Sequence, residues 1–326
     1  MIDQIKKTIF ASVPFDALKA RLGQKEIHLR GINGSLLAFV SAFVFEHQRS
    51  QVFVVVADDD SAEQLRDDCS LLLGDSVVHL FSSGIGHHAK TLDMTAPIGQ
   101  IETLQHLSKA ERVLVITSAS ALMNPIPLAN SFSERSFALE VSKEYAFGNL
   151  LDKLSALGFE RKDFVEEYGD FAVRGGILDV FPFVGDNPLR IEFWGDTVDS
   201  IREFDVLSQR SIRDLQSANI VASLEQNGAQ PSQPSATIAD YLAGQAIVCL
   251  NEPDLIRKEL DEYATEQGLS VDSGQSALGR LNRFQQIVSS SLDAAEAIQF
   301  ESRSQPATNG SIRHLIDHVA RLTADG

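Results

Sequence analysis

The hydrophobic positions change their period twice along the chain. In the first third, short apolar runs alternate with helical patterns. Residues 27–30 read as a modest strand, followed by a glycine turn at 31–35 and a helix-like stretch from Leu36 to Phe45. Residues 52–57 form a continuous Val-rich run, the pattern of a strand buried on both faces. Asp58, Asp59, Asp60 and Ser61 offer N-cap chemistry to a helix that lines up Leu65, Cys69 and Leu72. Residues 77–81 and 113–116 are further strands, and a helix over about 97–108 between them has Pro97 near its first turn. Strands separated by helices of this length predict parallel βαβ units.

After Pro125 and Pro127 the pattern changes. Residues 137–141 alternate with period two, and a short helix carrying Leu150, Leu151, Leu154 and Leu157 follows, with Gly158 as its C-cap. Strands then succeed one another without helices, at 170–174, 177–181, 189–194 and 198–204. Gly185-Asp186-Asn187-Pro188 and Gly195-Asp196 mark turns. This is a small α+β unit with a mostly antiparallel sheet. A polar stretch rich in Gln, Ser and Pro at 226–235 reads as a linker or loop. The α/β pattern then resumes with a strand at 246–250, a helix over 252–266 capped by Asn251, a strand at 297–300 and a helix over 311–322. The expected fold is therefore an α/β parallel-sheet domain built from residues 1–128 and 216–326. A small α+β antiparallel-sheet domain, residues 129–215, is inserted into it.

Composition narrows the function classes. The chain of 326 residues has 44% hydrophobic and 22% charged residues, enough to bury a core. No run approaches the roughly 20 apolar residues of a membrane helix, so no membrane partner is expected. The start, MIDQIKKTIF, lacks the pattern of a signal peptide. Two distant cysteines, Cys69 and Cys249, exclude a disulfide scaffold and fit a reducing cytoplasm. With 28 Lys and Arg against 45 Asp and Glu, the net charge of −17 disfavours free-standing nucleic-acid binding.

Few residues carry candidate chemistry. Gly31, Gly34 and Ser35 lie between a strand and a helix, where a phosphate-binding loop belongs. In the pattern GxxxxGK[ST], Leu37 then stands where the Lys belongs and Ala38 where the hydroxyl belongs, so both charge-handling groups are lacking. The acids at 58–60 after a Val-rich strand look like a Walker B segment. A capped helix explains them equally well, and a magnesium site needs the phosphates and hydroxyl that the loop does not supply. His87-His88 is a poor ligand pair in a polar loop. His314 and His318 have helical i,i+4 spacing without the Glu of HExxH or a third ligand, so no metal is expected. No catalytic constellation and no cofactor are predicted.

The most informative segment runs from Tyr168 to Arg210. Period-two geometry puts Leu189, Ile191 and Phe193 on one face of a strand and Arg190, Glu192 and Trp194 on the other. In the strand before, Phe171 and Val173 oppose Ala172 and Arg174, and Gly175-Gly176 signals a bulge or a close backbone approach. With apolar faces matched, Arg174, Arg190 and Trp194 share a solvated face. Spacing leaves two readings open: interface anchors, or a surface Arg paired with Glu192 and a Trp lying over the sheet edge. Residues 136–213 hold nine Lys and Arg against fifteen Asp and Glu, a net −6, which favours a protein over a phosphate backbone as ligand.

The motif Gly169-Asp-Phe-Ala-Val-Arg-Gly-Gly-Ile-Leu-Asp-Val-Phe-Pro182 is followed by Arg190-Ile-Glu-Phe-Trp-Gly-Asp196, Asp199-Ser-Ile-Arg202 and Phe204-Asp205…Ser208-Gln-Arg-Ser211. Together they resemble the UvrB-homology module of the bacterial transcription–repair coupling factors (Mfd). The turn at Gly31–Ser35 and the stretch from Phe300 to Pro306 are similar to the start and close of that module, so the resemblance covers essentially the whole chain. It implies a helicase-like α/β domain that has lost ATPase chemistry, with an inserted domain that binds the repair protein UvrA. Carried over by motif, Arg174, Arg190 and Trp194 would face UvrA, Trp replacing a position that is commonly Phe. It further implies that a full-length relative continues into an RNA-polymerase-binding domain and an ATP-driven DNA translocase. The chain would then be an N-terminal piece whose Arg/Trp face another domain masks. UvrB itself, or another P-loop NTPase binding nucleotide and DNA, is the alternative. The degenerate loop and the short, aromatic-free segment 82–96 speak against it.

Overall fold

The structure is a computed structural model that describes residues 2–83, 95–129, 134–223, 236–270, 272–291 and 296–302. The expected linker at 226–235, His87-His88, and the helix over 311–322 with His314 and His318 lie outside the described residues.

The first segment supplies β1 (Glu26–Arg30), β2 (Val52–Val56), β3 (Val78–Phe81) and β4 (Leu114–Ser118). The middle of the chain supplies β5 (Ser136–Glu140), β6 (Glu160–Arg161), β7 (Asp170–Arg174), β8 (Ile177–Val180), β9 (Leu189–Trp194), β10 (Thr197–Phe204), β11 (Ser211–Leu215) and β12 (Ser217–Val221). The last segment supplies β13 (Ile247–Asn251), β14 (Gln285–Ser289) and β15 (Ile298–Gln299).

Seven strands form one parallel sheet in the order β15-β1-β14-β13-β2-β4-β3. β13 and β14, from the end of the chain, sit between β1 and β2 from its beginning. The fold is therefore α/β, and its main sheet closes only when both chain segments are present. β2 and β4 are buried at every position, as β-branched runs covered by helices on both faces should be. Their side chains alternate between two cores. Phe53, Val55 and Val115 join the core that runs toward the middle of the chain, while Val52, Val54, Val56, Leu114 and Ile116 pack under the helices of the first segment.

The helix Leu36–His47 is apolar almost all round because it is covered almost all round. The sheet lies on one side and two helices, Ile2–Phe10 and Val13–Arg21, lie on the other. Phe10, Phe15, Phe43 and Phe300 pack there in tilted and edge-to-face contacts with ring centroids 4.9–5.3 Å apart. The helix Asp59–Leu73 begins as its acids predict, Asp58 accepting from the Ser61 N–H at 2.7 Å. The helix Pro253–Glu266 differs from expectation. Asn251 ends β13, and Glu252, in left-handed conformation at φ 53°, is the N-cap ahead of Pro253.

The inserted unit leaves the α/β unit at Ile126 and returns at Ala236. These two residues exchange both backbone hydrogen bonds, at 2.9 and 2.8 Å. Within it, β6 to β11 form a second sheet in the order β11-β10-β9-β8-β7-β6, antiparallel except for the short β6–β7 pair. β5 and β12 form a separate antiparallel ribbon. The inner face of the six-stranded sheet (Leu178, Ile191, Phe193, Val198, Ile201) shares a continuous core with Ile101 and Leu104 of the helix Thr95–Ser108.

One pair of the α/β unit is built to respond to acid. His79, on edge strand β3, stacks on His106 with centroids 4.2 Å apart. Burial first, and the neighbouring His106 second, push His79 down to about 4. Its folded value lies below its unfolded one, so the unfolded chain binds the extra proton between pH 6.5 and about 4. Stability is therefore lost as pH falls through that window. We expect the midpoint of urea unfolding to drop across it, and His79→Gln to remove on the order of 1–2 kcal/mol of that drop, an amount discounted for partial exposure.

Candidate protein-interaction site

Antiparallel register places directly opposed residues on one face. Across the six-stranded sheet this gives an outward row Ala172–Asp179–Arg190–Arg202–Asp214 and, beside it, Arg174–Ile177–Glu192–Ser200. Trp194 opposite Thr197 ends the face. Arg174, Arg190 and Trp194 thus share one surface, as period-two reasoning expects.

The partners differ from the simplest expectation. Arg190 does not pair with Glu192. It forms a bidentate pair with Asp179, from Nε to Oδ1 at 2.7 Å and from Nη2 to Oδ2 at 2.8 Å. Arg174 reaches the same carboxylate, Nη2 to Oδ2 at 2.6 Å. Glu192 instead takes Arg202 and accepts from the Ser200 hydroxyl at 3.1 Å. The Asp179 side chain is 1% exposed, under two guanidiniums that are 45% (Arg174) and 19% (Arg190) exposed. A buried carboxylate needs such partners. In return, the hydrogen bond that Arg190 donates to Asp179 raises Arg190 above its ordinary value, so its charge is permanent.

The guanidiniums are also held by rings. Arg190 lies over the buried Phe204 at 4.4 Å and Arg174 over the half-exposed Phe164 at 5.2 Å. The outer face is not wholly solvated. Ala172, Phe181, Phe204 and Val165 form a small core beneath it.

The glycines shape the rim. Gly175, at φ 61°, makes the tight β7–β8 turn. A Cβ at Gly176 would stand 2.7 Å from the Phe193 carbonyl oxygen of β9. The Gly195-Asp196 turn that follows Trp194 is pinned to the helix Phe147–Ala156, its Asp196 carboxylate accepting from the Phe147 N–H at 3.0 Å. The Trp194 side chain is nevertheless left 85% exposed.

The glycine loop of the α/β unit is occupied by its own chain. Gly31 has φ 76°, and a Cβ there would overlap the Phe300 carbonyl oxygen. Ser302 donates to the Gly31 carbonyl at 2.6 Å and accepts from the Asn33 N–H at 3.1 Å. The N–H groups of Leu36, Leu37 and Ala38 donate to the carbonyls of Asn33, Gly34 and Ser35. Leu37 and Ala38 are buried, at 9% and 1% exposed.

Cys69 and Cys249 are buried, and burial pushes both thiols well above their ordinary value. Among the described residues, no group of three or more His, Cys, Asp or Glu is placed to hold a metal. A polar cleft of about 850 Å³ includes Arg135, Glu160, Lys162 and Asp170 in its lining. Asp170 spends one oxygen on the N–H groups of Glu166 and Glu167, and Arg135 donates to the Ser223 carbonyl, so these groups brace loops.

The outer face thus carries the ion pairs of Asp179 and Glu192 and one bare indole. Residues 137–225 match the UvrB interaction domain. The match starts in β5 and takes in every strand through β12. The chain is also similar to the transcription-repair-coupling factors of Bacillus subtilis (28% identical over 223 residues, 67% of this chain and 19% of the relative) and Myxococcus xanthus (27% over 263, 76% and 22%). That of Escherichia coli is 24% identical over 209 residues, 64% of this chain and 18% of the relative. The chain spans about a fifth of the length of these relatives.

Two outcomes follow for stability. Removing Arg190 alone uncovers a buried charge, so Arg190→Ala should cost about 3 kcal/mol in urea unfolding. Arg190→Ala combined with Asp179→Ala should cost less than the sum of the single changes. At the loop, Gly31→Ala must displace β15 and should cost on the order of 2–4 kcal/mol in the same measurement.

Proposed function

We propose that this chain is a non-catalytic adaptor of transcription-coupled DNA repair that recruits the nucleotide excision repair protein UvrA through the outer face of its six-stranded sheet. Arg174, Arg190 and Trp194 are the contact residues. The observation that carries this reading is the Trp194 indole, 85% exposed at the end of a face where Arg174 and Arg190 pair with Asp179 and Arg202 with Glu192. A large ring held in water by an anchored hairpin is the kind of side chain that a partner buries. Among the described residues, Arg174 commits only its Nη2 to Asp179, which leaves N–H groups for carboxylates on UvrA.

In this reading the α/β unit is a helicase-like domain, residues 1–128 and 216–326, around an insert at 129–215. The pairing of β12 with β5 and the return at Ala236 favour carrying the insert to about residue 223. Its phosphate loop is degenerate. Leu37 and Ala38 replace the Lys and the hydroxyl, and Ser302 and the turn's own carbonyls take the N–H groups that phosphates would need. This supports a domain without ATP hydrolysis and opposes a UvrB-like or other P-loop NTPase. RNA polymerase contact and ATP-driven DNA translocation belong, in this proposal, to the rest of a longer protein, a domain of which masks the Arg/Trp face. Two buried free thiols fit a cytoplasmic setting, and among the described residues no helix is long and apolar enough to cross a membrane.

Calorimetric titration with UvrA tests the site. Trp194→Ala should weaken binding by about tenfold or more while leaving the melting curve unchanged, and Arg174→Ala should weaken it by a similar factor with a modest loss of stability, because Arg190 still holds Asp179. Unchanged affinity in both variants would remove the reading. Arg190→Ala is the weaker probe, because it uncovers Asp179.

A further inference from the structure

We propose that the β10–β11 turn is a second anchor on the same face, with Leu207 at its tip inserting into an acid-rimmed apolar pocket of UvrA. The inference rests on the reading of the Arg/Trp face as the UvrA site. It starts from the most exposed large apolar side chain among the described residues, Leu207, at 93%. Turns are ordinarily tipped by Gly, Asn, Asp or Ser, so a bare Leu there has no local structural reason.

The turn is unusually well tied for its size. The Asp205 N–H donates to the Arg210 carbonyl at 2.9 Å and the Gln209 N–H to the Asp205 carbonyl at 2.8 Å. Asp205 Oδ1 accepts from the Ser208 N–H at 2.7 Å, and Gln209 Nε2 donates to the Val206 carbonyl at 2.8 Å. Gln209 itself is held in left-handed conformation at φ 57°. Val206 turns inward onto the small core of Val165, Ala172, Phe181 and Phe204, so the next side chain is sent outward.

The tie that matters most crosses to the site. Gln209 Oε1 accepts from Arg190 Nη2 at 3.1 Å, on the same nitrogen that binds Asp179. Arg190 therefore fixes the turn as well as the carboxylate, and Leu207 stands at the Arg190 end of β9 while Trp194 ends the other. Four residues of strand separate these ends by about 13 Å, well within one partner's share, roughly 800 Å², of an ordinary interface. A Leu on a fixed turn loses little freedom on docking, so most of its buried area is gained as affinity. With Arg190 tied to the turn through Gln209 and the exposed Arg210 at the turn's base, the matching surface is apolar with a carboxylate rim.

The test is calorimetric titration of UvrA with the full chain and three variants. Leu207→Asn, nearly the same size and uncharged, should weaken binding about tenfold or more, and Leu207→Met should stay within about threefold of the parent. Circular dichroism melting should be unchanged, since the side chain packs on nothing. If Leu207→Asn binds like the parent while Trp194→Ala loses affinity, the turn is not an anchor and the face assignment survives. If neither variant changes affinity, the face assignment fails and this inference with it.

Discussion

The outer sheet face depends on one buried carboxylate. Asp179 lies in the middle of β8 with almost no exposure, and its carboxylate requires the two guanidiniums that close over it. That requirement orders the surroundings. It holds Arg190 in one bidentate geometry, presses it onto Phe204, and aims the nitrogen that binds Asp179 at Gln209 as well. It draws Arg174 across from the neighbouring strand. Charges that would otherwise sweep through solvent are fixed before any partner arrives, which lowers the ordering entropy that docking must overcome.

The two regions with candidate chemistry treat their donors in opposite ways. At the glycine loop, the N–H groups of Asn33, Leu36, Leu37 and Ala38 are all spent on Ser302 and on turn carbonyls. A ligand there would have to break bonds the fold already uses. On the outer face, Trp194 has no burial and Arg174 remains nearly half exposed, so a partner adds contacts without removing any. Occupied loop and open face together describe an α/β unit that serves as a scaffold for its insert.

Much of this was legible in residue order. The Val-rich run at 52–56 announced a strand buried on both faces, and the alternation of Leu189, Arg190, Ile191, Glu192, Phe193 and Trp194 sorted β9 correctly. The first two helices and β14 were not legible. Ile2–Phe10 spaces Ile2, Ile5 and Ile9 at a helical period but is only nine residues long and buries none of them fully, and Gln285–Ser289 opens with two glutamines that break its apolar pattern. At the site, Arg190 and Glu192 are neighbours on one strand face, which made their pairing the natural guess. Asp179 wins because register sets it directly opposite Arg190, and register between strands is a tertiary fact. Phe164 and Ser302 left no signal of role either, since each matters through residues distant in sequence. Leu207, an apolar residue in the turn just before Ser208-Gln209, was the one oddity that could have been noticed.

The interleaved sheet has a consequence for the order of assembly on the ribosome. β1 and β2 emerge early but are not neighbours, and the strands that separate them, β13 and β14, emerge after the whole insert. The insert's strands β7 to β11, by contrast, each pair with the next in sequence, the kind of local topology that forms quickly. The insert can therefore be complete while the first α/β segment still waits with unpaired strand edges. Once folded, it brings Ile126 and Ala236 within hydrogen-bonding distance, turning a span of more than a hundred residues into a short closed loop. The insert would thus act as the clamp that lets the α/β unit around it finish folding.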